Sequence, residues 1–465
     1  MRPAEDPSPT PSAAQASGER LSVGEKIGYG LGDTASNLYW QVFTNFLLYF
    51  YTDVFGIAAA AAGTMMLVVR SWDTFLDPIV GILADRTRTR WGHYRPYLLW
   101  GALPIAILGV AMFTTPDFGP SGRLAYAYVT YSLMMLAYTF INIPYSALMG
   151  VISPSSTERT SVSSYRFVLA YGGLFTVQGA TLFLVKYLGQ GDARKGFQGV
   201  MVVYGVIAIA LFLVTFFTTH ERVLPEAQGG STLRNDLRDL VRNRPWLWAC
   251  AIGVFALLYI SLRMGAILFY FKYYIGDESL APGFMAAGTI GVIAGAALAG
   301  PIARLLGGKR RAYMILMTIA SALTAAFYFI PRDRIVLIFA CHIVISTLFA
   351  PTSPLLWSFY ADTADYSEWK TGRRATGLVF SAASFSQKLG WTLGGALAGW
   401  VLAYYGFQAN VAQSTGVQTG IRLMMSLFPA AAGFLSAGAV MFYALDDQLV
   451  ATIERELKQR RGETA

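Results

Sequence analysis

The sequence predicts an all-α polytopic membrane protein, with twelve transmembrane helices in two six-helix bundles. Three observations carry this. Of the 465 residues, 55% are hydrophobic and only 14% charged, against about 25% charged in a soluble chain. The apolar residues fall in long blocks such as "PIAILGVAMF" and "GVMVVYGVIAIALFLVTFF", and a spanning helix needs about 20 mostly apolar residues. About twelve such blocks are present on that length criterion. One long polar insert, "THERVLPEAQGGSTLRNDLRDLVRNRP", divides them into equal halves.

The chain opens with "MRPAEDPSPTPSAAQASGER". This stretch has no apolar h-region and is not a signal peptide. Its Pro, Ser and Ala content predicts a disordered cytoplasmic tail over 1–25. The first six helices are predicted to begin near Ile27, Ile57, Tyr97, Leu124, Tyr165 and Val200, giving a bundle over 26–218. A central cytoplasmic loop takes 219–245. The second six begin near Trp246, Pro282, Tyr313, Ile335, Thr376 and Ile421, giving a bundle over 246–446 with a cytoplasmic tail over 447–465.

An even helix number puts both termini on one side. Loops sharing that side include "DRTRTRWGHYRP", "RLLGGKRR" and "EWKTGRR", whereas "YTDVFG" and "YYIGDES" on the other are poor in Arg and Lys. The positive-inside rule makes the terminal side cytoplasmic. The expected location is the plasma membrane, the inner membrane in a bacterium. The net charge of +9 therefore reflects membrane orientation, and no nucleic-acid partner is expected. Cys250 and Cys341 lie inside apolar blocks and read as inert small hydrophobes, with no disulfide framework.

The halves echo each other. "GILADRTRTR" ends the second helix and "GPIARLLGGKRR" the eighth, each with Gly, three residues, a charge and a basic cluster. Parallel six-helix repeats are a transporter architecture, with the substrate near the midplane between them.

"VVRSWDTFLDPIVG" (68–81) then stands out, because it buries three charges. Asp73 and Asp77 are four apart and face one way on a helix, and Arg70 joins that face. Each charge costs about 2.5–3.5 kcal/mol near a helix centre, and such groups normally line an ion or substrate path. The alternative is that Arg70 neutralises one carboxylate as structural glue, which leaves the second unexplained. Two acids beside one base suit a monovalent cation or a proton. Thr139 and Asn142, in "AYTFINIPYSAL", could complete the site, and Pro144 can free a carbonyl there. Lys388 ("SFSQKLGW"), Arg263 ("ISLRMGAILFYF"), Arg166 ("SSYRFVLAYGG") and Asp33 are also intramembrane. Asp33, Arg70, Arg263 and Lys388 are the expected charge network for coupling. For Arg166 and Asp33, near helix ends, snorkelling or capping are alternative roles.

"KIGYGLGDTASNLYWQ…FLLYFYTDVFG", "RSWDTFLDPIVGILADRTRTRWGHYRP" and "ADTADYSEWKTGRRATG" together resemble the glycoside–pentoside–hexuronide:cation symporters, relatives of the melibiose permease within the major facilitator superfamily. The resemblance runs from Lys26 to the last helix. It implies the major facilitator fold and sodium- or proton-coupled sugar symport. In the melibiose permease, the aspartates matching Asp73 and Asp77 bind the cation, as metal ligands when it is Na+. Positions matching Thr139 and Asn142 complete that site. The basic residues matching Arg166 and Lys388 serve sugar binding and coupling. The chain departs from that branch. Carboxylates there are Asn37 and Asn142 here, and its sugar-stacking tryptophans correspond to Ser146 and about Ser353. Na+ versus H+ thus stays open, and the sugar is not expected to be melibiose. "NIPYSAL" looks more like the pentoside and xyloside branches, so a glycoside, pentoside or short oligosaccharide is the expected cargo, a xyloside among the candidates.

Sugar hydroxyls need planar donors and acceptors, and sugar rings need aromatic faces. Asn37, Tyr138, Asn142, Arg166, Ser384 and Trp391 are the candidates, joined through the resemblance by Lys388. The loop "ADTADYSEWKTGRR" carries Asp362, Asp365, Arg373 and Arg374; with Asp85 these form an expected ion-pair latch closing the cytoplasmic gate, a solvated loop being the alternative. His342 inside the tenth helix reads as a packed polar group or a proton relay. The glycines of "GYGLGD" predict close helix packing. No metalloenzyme, nucleophile-elbow or phosphate-loop motif is present, so an integral membrane enzyme is disfavoured. A carrier of an amphiphile such as a lysolipid is the other alternative. No cofactor beyond the ion is expected, and the chain is expected to work as a monomer in the bilayer.

Overall fold

Backbone polar groups in hydrocarbon must be satisfied within the segment, which leaves the apolar blocks helical. The computed structural model describes residues 20–153, 155–222, 242–371 and 376–460. Among them there is no strand. The first half holds α1 (Val23–Asn45, prolonged by Leu47–Tyr49 and a π-helical turn Phe50–Phe55), α2 (Ala59–Arg86), α3 (Arg95–Met112), α4 (Pro120–Val151), α5 (Ser156–Gly189) and α6 (Ala193–Thr218). The second half holds α7 (Arg244–Phe269, prolonged by the π-turn Tyr270–Ile275), α8 (Ala281–Ala297, then Ala299–Leu305), α9 (Lys309–Ala326), α10 (Ile335–Phe349, resuming as Thr352–Thr371), α11 (Thr376–Tyr404) and α12 (Thr415–Met425, then Leu427–Met441). A thirteenth helix, α13 (Asp447–Arg460), follows.

Nine of these, among the described residues, are long and apolar enough to cross a membrane. The other three of membrane length are α1, α2 and α11. Polar residues lower their hydropathy: Asp33, Asn37 and Gln41 on α1; Arg70, Asp73 and Asp77 on α2; Gln387 and Lys388 on α11.

Helix starts fall near the predicted ones, and at Ile335 they coincide. The largest departure is α5, which begins at Ser156 rather than near Tyr165. There the Ser155 side chain caps the helix by accepting from the Glu158 N–H, so a polar first turn extends it beyond the apolar block. The stretch expected as the loop "ADTADYSEWKTGRR" is helical through Thr371. The tail after Asp447 is also a helix: Val450, Ile453 and Leu457 are buried, and Glu456 accepts from Trp369 Nε1 at 2.6 Å.

Each half packs mainly on itself. In the first, α1 lies on α5 and α6, and α4 on α2 and α3; in the second, α7 lies on α11 and α12, and α8 on α10. The halves meet through α2 against α11, α5 against α8, and α1 against α7. At the α2–α11 crossing a Cβ on Gly63 would stand 2.7 Å from the Ala396 carbonyl oxygen. One on Gly399 would stand 2.5 Å from that of Ala59. Backbones approach this closely only where side chains are absent.

The repeat shows again where α1 and α7 end. Each finishes in a π-turn, Phe50–Phe55 and Tyr270–Ile275, followed by a left-handed glycine, Gly56 (φ 85°) and Gly276 (φ 88°). On the side of the termini the first half is tied by Lys26–Glu158 (2.9 Å) and Arg222–Glu25 (2.7 Å). The Lys26 ammonium holds the Glu158 carboxyl below its usual range. Glu221 accepts the backbone N–H groups of His93, Tyr94 and Arg95 at 2.7–3.0 Å, neutralising the positive end of α3.

Candidate functional site

The two acids of α2 do share a face, and the base between them is Lys388 rather than Arg70. Lys388 Nζ reaches from α11 to Asp77 Oδ2 in a short ion pair and to Asp73 Oδ2 at 3.4 Å. On the other side of Asp73, Thr139 of α4 donates to Oδ1 at 2.6 Å. Asp77 Oδ1 is buried and has no hydrogen-bond partner. Arg70 instead donates from Nε to the Tyr131 hydroxyl at 2.9 Å, and its guanidinium lies 5.5 Å from the centre of the Trp40 ring.

The cluster offers the oxygen donors that a small cation uses. Carboxylate and hydroxyl oxygens converge, one acceptor is unfilled, and an ammonium rests among them. The Asn142 amide donates to the Tyr138 carbonyl at 2.9 Å, three residues after Thr139 on α4. No cluster of three or more His, Cys, Asp or Glu that could hold a metal occurs among the described residues. Side-chain exposure is 24% at Asp77 and 32% at Lys388, so the site is open to one side.

The opposite side is sealed. Asp53, at the end of α1, is ion-paired with Lys272, at the end of α7, at 2.7 Å, and its side chain is 0% exposed. Tyr273 also donates to Asp53, and Lys272 further reaches Tyr49 (3.1 Å) and Asn410 (2.8 Å). Asn410 Nδ2 closes the ring on the Asp53 carbonyl at 2.7 Å. Acid and base come from matching π-turns of the two halves, "FYTDVFG" and "YFKYYIG". That coincidence was readable in the sequence, but only an alignment of the halves would have revealed it.

Between seal and cation site lies a cavity of ≈ 200 Å³ lined by α1, α5, α7, α8, α10 and α11. Trp40 and Trp391 form one wall, 6.3 Å apart edge to face, and Tyr138 stacks on Trp40 at 5.7 Å. Gln178 of α5 accepts from Thr289 of α8 at 2.5 Å across the halves. Trp391 stands one turn from Lys388 on α11, and Trp40 is under Arg70, so cavity and cation cluster share a wall.

The remaining expected residues fall as follows. Arg166 pairs with Asp33 at 3.0 Å and lies over Tyr145. Asn37 donates to the Asp33 carbonyl and accepts from Gln41. Ser384 is exposed on α11, one turn before Lys388. Arg263 is not beside the carboxylates of α2; it faces the cavity with His342, whose ring stacks on Phe284 at 3.8 Å. Of the expected latch, Asp85 accepts from Tyr94 (2.7 Å) and Asp362 pairs with Lys309 (2.7 Å), each within its own half. Burial and the Asp85 carboxylate push the Tyr94 phenol up, so it stays the donor. Asp365 lies on the resumed part of α10, and Arg373 and Arg374 lie outside the described residues.

The family description "MFS/sugar transport protein" matches residues 28–447. The chain belongs to this family. It is a multi-pass membrane transporter, not an enzyme. The MFS sugar-transport relatives include the putative glycoside/cation symporter YagG of Escherichia coli (strain K12), 41% identical over 95% of this chain and 96% of that protein. The isoprimeverose transporter of Lactiplantibacillus pentosus is 33% identical over 94% and 92%. The glucuronide carrier protein homolog of Escherichia coli (strain K12) is 31% identical over 95% and 97%. Among solved structures, a crystal structure of nucleoside transporter NupG superposes with a TM-score of 0.58 at 16% identity, covering 91% of this chain and 100% of that one. A bacterial homolog of the human lysosomal transporter Spinster, inward-facing and occupied, gives 0.61 at 14%, covering 93% and 96%. At such identity these two speak for the MFS fold alone.

Proposed function

We propose that this chain is a cation-coupled sugar symporter that imports a glycoside, pentoside or short oligosaccharide by alternating access. The observation that carries the reading is Lys388 of one half seated on Asp73 and Asp77 of the other, beside an unfilled Asp77 oxygen. A monovalent cation can take that place only by displacing the lysine, and displacement alters a contact between the halves. Names borne by relatives, a glycoside/cation symporter and an isoprimeverose transporter, agree with a sugar as cargo.

With the basic loops inside, the terminal side is cytoplasmic. The sealed Asp53–Lys272 end is then extracellular, and this conformation faces inward. Proximity of Lys388 to Trp391 couples ion to cargo: moving the ammonium shifts the cavity wall. Linkage is reciprocal, so sugar tightens cation binding by the factor by which cation tightens sugar. The halves then rock about the central cavity. One charge crossing about 100 mV supplies about 2.3 kcal/mol, enough to concentrate a neutral sugar roughly fiftyfold. Na+ or H+ fills the role, Thr139 and Asn142 supplying further oxygens in the first case. The chain acts as a monomer, and no cofactor enters.

The test is uptake of labelled methyl β-D-xyloside and xylobiose into vesicles under imposed Na+ or H+ gradients. One gradient should drive accumulation in wild type, and Asp77→Asn should abolish it while leaving exchange down a sugar gradient. Gradient-driven accumulation surviving in Asp77→Asn would sink the mechanism.

A further inference from the structure

We propose that Gln178 is a positioning residue for transport: through Thr289 it holds α5 of the first half on α8 of the second, and so sets the side to which the central cavity opens. The inference rests on the alternating access of the symport reading, and on no particular ion or cargo.

Hydrogen bonds join the halves at the Asp53–Lys272 seal, at the α2–α11 crossing through Lys388 and through Trp400 Nε1 on Thr64 (3.0 Å), and at the α5–α8 seam through Gln178 and Thr289. The last bond is neutral. It belongs to the cavity wall, and it is buried, with Gln178 1% and Thr289 4% exposed. An amide taken away from water is costly unless it is hydrogen-bonded. Thr289 Oγ1, at 2.5 Å, is the one hydrogen-bond partner of the Gln178 side chain among the described residues. α5 ends, and α8 begins, on the face opposite the termini. At 1.5 Å per residue the bond lies roughly 12–17 Å below that sealed face, between the Asp53–Lys272 pair and the far side of the membrane.

Each helix of the seam is fixed to its own half. Thr34 Oγ1 of α1 donates to the Leu169 carbonyl of α5 at 2.9 Å, and a Cβ on Gly173 would stand 3.1 Å from the Thr34 carbonyl oxygen. A Cβ on Gly291 of α8 would stand 2.8 Å from the Ile343 carbonyl oxygen of α10, and one on Gly295 would collide with the Thr347 carbonyl. Interfaces packed this closely do not deform continuously. Motion of one half against the other is therefore concentrated at the α5–α8 seam, where Gln178 meets Thr289.

The bond is made to be exchanged. The Thr289 hydroxyl has one proton and two acceptors in reach, Gln178 Oε1 at 2.5 Å and the Met285 carbonyl of its own helix at 3.2 Å. When the seam parts, the proton turns to Met285 and the threonine stays satisfied. Gln178 has no such second partner, so its oxygen is satisfied only by water entering the opened seam. The bond thus favours the closed seam without making opening prohibitive.

The test uses the full-length carrier in vesicles of either orientation, with Cys250 and Cys341 replaced by alanine. One reporter is Leu182→Cys, a turn from Gln178 toward the sealed face; the other is Ser146→Cys, exposed near the opposite end of α4. Each is labelled with a membrane-impermeant maleimide, the first from the side opposite the termini and the second from the terminal side. Gln178→Leu, Gln178→Asn and Thr289→Val should each speed labelling at Leu182→Cys at least about threefold, what one interhelical hydrogen bond in a membrane supplies. None should speed labelling at Ser146→Cys, as a loosened fold would. Thr289→Ser keeps the hydroxyl and should label as wild type. The double variant Gln178→Leu/Thr289→Val should label no faster than either single one, because both remove the same bond. Wild-type labelling in Gln178→Asn and Thr289→Val, faster labelling on both sides, or rate increases that multiply in the double variant overturn the assignment. Labelling needs no cargo, so wild type that moves neither methyl β-D-xyloside nor xylobiose counts against the symport reading, while the labelling ratios decide the role of Gln178 either way.

Discussion

Lys388 and Asp77 meet across the interface of the two halves, ammonium on α11 against carboxylate on α2, with Asp73 3.4 Å from the same nitrogen. On the symport reading, the protein's own cation thus stands where a transported one would bind. Lysine suits this role, since it is a compact charge on a flexible stem that can withdraw without dismantling a planar hydrogen-bond fork.

Removing the competitor should free the site. Lys388→Gln is expected to bind the coupling ion about tenfold more tightly, roughly 1.4 kcal/mol, and to lose the effect of sugar on that affinity. Titration of the ion with and without sugar reads both. Unchanged ion affinity would argue that the lysine is structural only.

Thr139 reports which ion is used. Its hydroxyl donates to Asp73 at 2.6 Å and has lone pairs left for a metal. If Na+ is carried, Thr139→Ala should weaken Na+ activation about tenfold and Thr139→Ser should restore it. If H+ is carried, Thr139→Ala should instead move the pH profile of transport with no response to Na+.

The Asp53–Lys272 seal should be a conformational lock. Asp53 is fully buried with Lys272, and removing one partner of such a pair leaves a stranded charge at a cost of about 3–5 kcal/mol. Lys272→Gln should therefore shift the carrier toward the outward-open state. A cysteine placed at Thr64 should then label faster from outside by an order of magnitude. Labelling at the wild-type rate would show that the pair does not hold the gate.

Backbone contact at Gly63 and Gly399 makes the same closure sterically exacting. Gly399→Val should fold and reach the membrane but fail to seal outside, because its Cβ would fall 2.5 Å from the Ala59 carbonyl oxygen. Sugar binding from outside should persist while uptake drops at least about tenfold, a split that comparing binding with transport detects. Wild-type uptake would refute it.

How much was legible in the chain differs by residue. Asp73, Asp77, Thr139 and Lys388 could be named from sequence, because a charge inside an apolar block is costly wherever it ends up and must serve some purpose. The pairing could not. Arg70, three residues from Asp73 on the same helix, was the obvious partner, yet it turns to Tyr131 and Trp40. The base that reaches the acids lies 311 positions away in sequence from Asp77. Asp53 and Lys272 went unnoticed because each sits at a helix end, where charges are ordinary. Their significance arises only when two distant π-turns are brought face to face.

By itself the sequence determined that this is an all-helical, multi-pass membrane transporter, and which side chains must be shielded from lipid. Hydropathy and the expense of burying charge act on each segment separately, so they can be read locally. Only the tertiary structure decided which charges neutralise one another, which end of the pathway is shut, and that Gln178 of one half meets Thr289 of the other. Those outcomes depend on how helices from the two halves rotate and cross, and helix faces hundreds of residues apart are set by packing rather than by any local pattern.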